Sequence, residues 1–290
     1  MYKMEKGAQK RPFSPNREEN SMEHKNAVSL SRLCGTVAQT IGVPAPKQAA
    51  AGLDWASAIL QEHAGGPITR TLIYNPDAVA QWLLHKYRPM FQPVLARTQL
   101  ALPLRSPMPS VTPVCFGTMY TGALPEVHGI QAYEKPVIQI DTLFDALVRA
   151  GKKVALVAVA DSSMAKIYNQ RPIDYYYLPY DDEVKQKALE LIEQDEYDFI
   201  SVYTQQYDDV MHRAGVESPE AMEALQNQID IFVELADQVE KCWTKHNSLI
   251  TFSPDHGVHQ QPDGCGNHGQ DIPEDLNIVH YLGATRRSQM

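Results

Sequence analysis

From residue 70 onward, short apolar runs alternate with amphipathic helical stretches. No other feature constrains the fold as strongly. The runs are Thr71–Tyr74, Gln99–Leu104, Lys153–Val159, Asp198–Tyr203, Ser248–Phe252 and Asn277–Leu282. Between them lie Ala78–Tyr87, Phe116–Thr121, Thr142–Ala150, Asp182–Glu193 and Pro219–Lys245. Strands alternating with helices predict an α/β fold, a mainly parallel central sheet with helices on both faces. A run such as Val154–Val159, apolar at every position, suits a strand buried on both sides. In such sheets ligands bind beyond the carboxyl ends of the strands. The polar residues that follow the runs are therefore the first place to look for function.

Those residues repeat a theme. Thr71–Tyr74 runs into Asn75-Pro76-Asp77, and Ser248–Phe252 into Ser253-Pro254-Asp255-His256-Gly257. Asp198–Tyr203 is followed by a segment carrying Asp208 and His212, which share a face if that segment is helical. His268 lies late in the chain, in the Gly-rich loop Gly266–Gly269. A single Asp after a strand reads equally well as a turn or helix cap. Carboxylates and imidazoles gathered at one end of a sheet suit zinc or manganese without any cysteine.

A second constellation follows the run Gln99–Leu104. Ser110 and Thr112 precede the helical stretch, with Pro113 where a first helical turn would begin. A hydroxyl there sits near unpaired N–H groups and the positive end of the helix, a position that suits a phosphate or an oxygen nucleophile. Local sequence alone also fits a simple helix cap.

Charge limits the partners. The chain has 290 residues and a formal net charge of −9, which opposes binding of polymeric nucleic acid over a broad surface. A small phosphorylated substrate would need a local positive charge, which bound metal can supply. No apolar run is long enough to span a membrane. The basic start has no apolar stretch after it, so no secretory signal is expected. Cys34, Cys115, Cys242 and Cys265 are widely spaced and form no CxxC pair, which points to a reducing, cytoplasmic setting.

Taken together, these segments resemble the alkaline phosphatase superfamily, in its type I phosphodiesterase/nucleotide pyrophosphatase branch. The branch shows Pro-Thr-x-Thr-Phe-Pro-Asn, a helix ending Thr-Gly, then Pro-x-x-His-Gly-Ile. Here Thr112 stands the family's distance before Thr121-Gly122, and Pro125–Ile130 matches the closing segment. Asp208 to His212 matches the family's Asp-x-x-x-His, and Ser253–Gly257 its Ser-Asp-His-Gly with Pro254 inserted. Gly266–Gly269 matches its late Gly-x-His-Gly, and the likeness runs from about Ile68 to Gly283.

The resemblance implies a metal-dependent hydrolase of phosphate esters with Thr112 as nucleophile and two divalent ions. Zinc is the usual metal, with manganese as the alternative. Asp208, His212 and His268 would hold one ion; Asp77, Thr112, Asp255 and His256 would hold the other. A phosphomonoesterase, a mutase, a phosphonate or sulfate ester hydrolase, or a non-catalytic metal-binding relative remain alternative readings. The implied organisation is a mobile polar arm over residues 1–27 and a helical extension over 28–66. The alkaline phosphatase-like domain would occupy 67–290, with no large cap domain.

Three positions depart from the family pattern. Asn75-Pro76 precedes Asp77, so either Asn75 or Asp77 can take the first-strand place; Asp77 is preferred. The family's phosphate-binding Asn aligns with Cys115, the candidate substrate-binding position here. No large insert is present. The backbone N–H groups after Thr112 are expected to support phosphoryl oxygens. His128, Asp209, Asp161, His259 and Cys265 lie near these motifs and read as structural or second-layer residues. Pro219–Trp243, apolar at helical spacing, reads as a core-facing helix.

Overall fold

The computed structural model describes residues 24–287. Nine strands follow in order: β1 Arg70–Pro76, β2 Leu100–Arg105, β3 Val154–Val159, β4 Asp174–Leu178, β5 Phe199–Thr204, β6 Ser248–Phe252, β7 His259–Gln260, β8 Gly266–Asn267 and β9 Asn277–Thr285. Before and among the first strands lie α1 Arg32–Thr40, α2 Asp54–Ala64, α3 Gln81–Lys86, α4 Gln92–Arg97, α5 Thr112–Thr121, α6 Pro125–His128 and α7 Leu143–Arg149. The later helices are α8 Ser163–Ile167, α9 Asp181–Gln194, α10 Gln206–Ala214, α11 Pro219–Cys242 and α12 Pro273–Leu276.

Seven strands form one sheet in the order β2-β9-β6-β1-β5-β3-β4, and β7 and β8 form a small separate ladder. β6, β1, β5, β3 and β4 run parallel; only β9 opposes its neighbours. The expected mainly parallel α/β fold is therefore present. β3, β5 and β6 are buried at every position, so none shows an apolar/polar alternation: β3 is apolar throughout, and β5 and β6 add only Ser and Thr. β2 is an edge strand and does alternate: Leu100, Leu102 and Leu104 are buried while Ala101, Pro103 and Arg105 face out. An edge also tolerates Pro103, which has no N–H to give a ladder.

Each face of the sheet carries its own core. On one face α3, α4, α9, α10 and α11 bury residues such as Leu83, Val94, Leu191 and Phe232. On the other, α1, α2, α5, α7 and α8 bury Leu33, Leu60, Phe116, Phe144 and Ile167. The helices of residues 28–66 thus share a core with α5 and the sheet. Asn26 ties the start of the described chain to β2, its side-chain amide donating to the Leu104 carbonyl at 2.9 Å. The rest of the expected polar arm, residues 1–23, lies outside the described residues. Among the described residues no helix is long and apolar enough to cross a membrane.

Two departures from the sequence reading have clear causes. β4 was not anticipated. Its Tyr175, Tyr176 and Tyr177 are all half-buried at the other sheet edge, so no aliphatic run marks it. The helix expected from Ala78 starts only at Gln81, because Ala78 turns the chain with φ 66° just after β1. α11 matches its prediction and packs Leu225, Ile229, Phe232, Leu235 and Val239 inward.

Candidate active site

The three adjacent strands β6, β1 and β5 deliver most of the site. Asp255 and His256 follow β6, Asp77 follows β1, and α10, which follows β5, carries Asp208 and His212. His268 comes from the loop after β8. The parallel register fixes these ends side by side, with Asn75 opposite Tyr203 and Tyr74 opposite Phe252.

Thr112 opens α5, but Val111 is the cap residue and no side chain caps the helix. The hydroxyl is therefore not consumed by a capping bond. Thr112 Oγ1 lies 3.5 Å from Asp77 Oδ2 and 3.4 Å from His256 Nε2. The helix ends on Gly122 at φ 69°, where a Cβ would meet Ala49 at 2.6 Å, so the geometry demands glycine there.

The three histidines share one orientation. His212 Nδ1 lies 3.1 Å from the Gly266 carbonyl, His256 Nδ1 3.1 Å from the Gly257 carbonyl, and His268 Nδ1 2.8 Å from the Ser110 carbonyl. A carbonyl oxygen only accepts, so each Nδ1 carries the proton and each Nε2 presents a lone pair. Each Nε2 turns to a carboxylate of the cluster. His212 and His268 Nε2 are 3.1 Å apart, and they lie 3.4 and 3.5 Å from Asp208 Oδ1. His256 Nε2 is 3.4 Å from both Asp77 Oδ1 and Asp255 Oδ2.

The carboxylates are short of partners. Asp77 Oδ1, Asp208 Oδ1 and Asp255 Oδ2 are buried without a hydrogen bond, as is Ser110 Oγ. Burial, then the neighbouring Asp255 and Asp208 carboxylates, pushes Asp77 well above the usual carboxylate range. Burial raises Asp255 to about 7, opposed by the Ala78 N–H bond to it. Burial lowers His256 and His268 to about 3, so both rings are neutral and free to act as ligands at ordinary pH. Hydrogen bonding to Asp208 raises His212. Carboxylate oxygens with no donor, facing imidazole lone pairs with no proton, fit a cation.

Two sets of ligand atoms are compact enough to hold one: Asp208, His212 and His268, and Asp77, Asp208 and His256. The first is the set expected from sequence. In the second Asp208 stands where Asp255 was expected, while Asp255 borders the set through His256. Of the two first-strand candidates, Asp77 lies within reach of Asp208 and His256 and Asn75 does not join the group. Asn75 points into the core and donates to the Val202 carbonyl and the Tyr120 hydroxyl, both at 3.0 Å.

Two expectations do not survive. Cys115 is fully buried one turn behind Thr112, with its thiol held well above its usual range first by burial and then by Asp255 and Asp77. It does not line the cleft at Thr112, so the structure does not bring it to a substrate. The N–H groups after Thr112 are not free either. Pro113 has none, and those of Val114 and Cys115 donate to the Val111 carbonyl at 3.0 Å.

Other residues fall into place around the site. His128 packs inside, its Nε2 3.0 Å from Thr118 Oγ1 and its Nδ1 accepting from Ile130 N–H. His259 pairs with Asp275 at 2.8 Å, and the Cys265 thiol lies 3.9 Å from the Arg213 carbonyl. Asp209 accepts from Tyr180 at 2.7 Å. Sequence reading missed Tyr203, whose hydroxyl donates to Asp77 Oδ2. Its signal was its place at the end of β5, beside β1. It also missed Ser106 and His280. Ser106 donates to the Asp255 carbonyl and His280 Nε2 to the Pro254 carbonyl, each at 2.6 Å, which pins the loop that carries Asp255 and His256. The open side of the site is a cleft of about 230 Å³ lined by Thr112, Asp77, Asp208, Tyr133, Lys135 and others.

A family model described as type I phosphodiesterase / nucleotide pyrophosphatase matches residues 74–280. No curated protein matches in sequence. Among solved structures, an inactive murine ectonucleotide pyrophosphatase/phosphodiesterase 5 in complex with AMP aligns at TM-score 0.58 and 16% identity. That alignment covers 75% of this chain and 88% of the murine chain. The human protein of the same name aligns at TM-score 0.57 and 15% identity, covering 75% and 88%. Phosphonoacetate hydrolase from Sinorhizobium meliloti 1021, with phosphonoacetate bound, aligns at TM-score 0.50 and 17% identity. There the cover is 68% of this chain and 59% of that chain. At such identities the likeness is one of fold.

Proposed function

The chain belongs to the type I phosphodiesterase/nucleotide pyrophosphatase family, and from that premise we propose that it is a metal-dependent phosphodiesterase with Thr112 as its nucleophile. One observation carries the reading: the Thr112 hydroxyl lies 3.5 Å from Asp77 Oδ2 and 3.4 Å from His256 Nε2, at the edge of a cluster in which Asp77 Oδ1, Asp208 Oδ1 and Asp255 Oδ2 are buried without a hydrogen bond. That donor set fits two divalent ions, zinc before manganese. Asp208, His212 and His268 would hold one, and Asp77, His256, Asp255 and Thr112 the other.

When bound, the metal pair supplies positive charge that eases ionisation of a hydroxyl and offsets charge on the reacting oxygens. The chain's own part is orientation. Asp77 and His256 flank Thr112 Oγ1 and set its direction, while the bond from Tyr203 holds Asp77 in place. Thr112 Oγ1 attacks phosphorus, the ester oxygen leaves, and a phospho-threonine ester is formed; water then cleaves it. No row of free N–H groups follows Thr112, so cleft side chains take the share of phosphoryl binding such groups would have had. The four cysteines are all free, which supports a reducing, cytoplasmic setting. We assign catalysis to residues 67–290, with the helices of 28–66 supporting α5 from behind.

The test is a panel of 4-nitrophenyl phosphate mono- and diesters, with sulfate and phosphonate analogues, assayed on zinc- and manganese-loaded protein. Diester turnover that a chelator removes and metal restores is expected. Stoichiometric metal with no turnover of any ester would favour a binding protein instead.

A further inference from the structure

We infer that the substrate carries a second anionic group beyond the reacting phosphoryl group, and that Lys135 receives it. The inference rests on the hydrolase reading above and names the substrate class of that same site. Its ground is a mismatch in the cleft. Asp77, Asp161, Asp208 and Asp209 line it, and among the described residues Lys135 is the only basic side chain in the lining. A lysine placed among carboxylates is expected to pair with one. Lys135 pairs with none among the described residues: its Nζ donates to the main-chain carbonyl of Asp161 at 3.3 Å. The Asp161 carboxylate is turned away, 3.0 Å from Lys166 Nζ and 87% exposed.

An ammonium group has three protons to donate, and one is used. Lys135 is half-buried and lies 5.4 Å from the centre of the exposed Tyr133 ring, which shields one side of it. The site therefore holds a sheltered, unneutralised cation within the same cleft as Thr112. The carboxylates at Thr112 can be neutralised by bound metal, but no carboxylate among the described residues neutralises Lys135. A carboxylate or phosphoryl tail on the substrate supplies one, in a charge-assisted bond. The cleft volume of about 230 Å³ is small for a binding pocket and favours a short tail.

Three 4-nitrophenyl phosphodiesters separate the possibilities, with a second arm of 2-carboxyethyl, 2-phosphoethyl or the methyl ester of the former. Turnover is measured on the zinc-loaded full-length chain, and affinity by calorimetry on zinc-loaded Thr112→Ala. We expect at least one anionic arm to be preferred over the neutral arm by about tenfold or more in kcat/KM and in affinity. The better anionic arm identifies the tail. Lys135→Met should collapse the preference and Lys135→Glu reverse it. Lys166→Met, outside the cleft, should keep it. Melting temperature and zinc content identify any variant that has simply misfolded. A wild-type ratio near one, a ratio unchanged in Lys135→Met, or an equal loss on all three arms would overturn the inference; the last would place Lys135 on the reacting phosphoryl group. So would failure of Thr112→Ala to bind any arm. Preferential binding without turnover by the wild type would leave the tail assignment standing and sink only the hydrolase reading.

Discussion

The two ligand groups of the site are built in different ways. Asp77, Asp255 and His256 stand directly after strands at the centre of the sheet, with side chains at most 2% exposed. Asp208, His212 and His268 come from a helix and a loop; the His212 side chain is 37% exposed and that of Asp208 15%. The first group is held by backbone and buried bonds: Ala78 N–H on Asp255, the Tyr203 hydroxyl on Asp77, and Ser106 and His280 on the loop carbonyls. In the second group each imidazole is oriented by a bond to one backbone carbonyl, of Gly266 or Ser110. The comparison suggests a division of labour. On the proposed reading the buried group flanks the Thr112 hydroxyl, and the second group reaches the open side of the cleft through Asp208 and His212.

The largest expected effect breaks the buried group at its reactive atom. Thr112→Ala should lower turnover by about 10³-fold or more, with metal content nearly unchanged as read by plasma emission. Asp77→Asn comes next. It should reduce turnover by about 10²-fold and weaken one cation. It also removes one of three crowded buried carboxylates, so the metal-free chain should melt no lower than wild type in calorimetry. A sharp loss of metal-free stability would mean that Asp77 is structural.

His212→Ala and His256→Ala sharpen the contrast between the groups. The exposed His212 should cost about tenfold or more in affinity for one ion with little change in metal-free melting. His256 is fully buried and its ring stacks on His268 with centroids 3.9 Å apart, so its loss should also lower melting of the metal-free chain. Equal behaviour of the two variants would remove the distinction.

The smallest effect is in pH. Asp255 is raised to about 7 without a cation, so its contribution to stability is complete at low pH and is lost as pH rises through 7. His256 and His268, lowered to about 3, contribute stability above the usual imidazole range that is lost as pH falls toward 3. These opposite signs offset in stability but not in metal binding. A cation must compete with the protons that burial favours on Asp77 and Asp255, and with none on His256 or His268. Calorimetry at pH 6 in buffers of different ionisation heat should show net proton release, and affinity should fall as pH drops below 7. Binding without proton release would contradict the assigned burial of these groups.

Much of this was legible in the sequence because it depends on chain order. Asp77, Thr112, Asp208, His212, Asp255, His256 and His268 could be singled out because their motifs follow one another in the family's order, whereas each taken alone reads equally well as a cap, a turn or a surface pair. What stayed hidden depends on side-chain direction or on tertiary partners. Asn75 and Asp77 differ by two positions along one strand end, and only the packed core shows Asn75 bonded inward to Val202 and Tyr120. Cys115 matches a family position in register, yet α5 turns it into the core. The N–H groups of Val114 and Cys115 looked available until the helix start bonded them to Val111. Tyr203 and Lys135 reach the site from runs whose sequence resembles any strand or loop. β4 escaped for a related reason: tyrosines at an edge satisfy their hydroxyls locally, as Tyr177 does on the Ala165 carbonyl at 2.9 Å, and leave no apolar signature.

The central claim is that Thr112 is the atom that attacks phosphorus. Acid quenching of metal-loaded protein during turnover of a 4-nitrophenyl phosphodiester, followed by peptide mapping in a mass spectrometer, tests it directly. The account predicts a phosphoryl ester on the Thr112 peptide that appears only with metal and is absent from Thr112→Ala. Steady turnover with no adduct on Thr112, or undiminished turnover by the alanine variant, would contradict it.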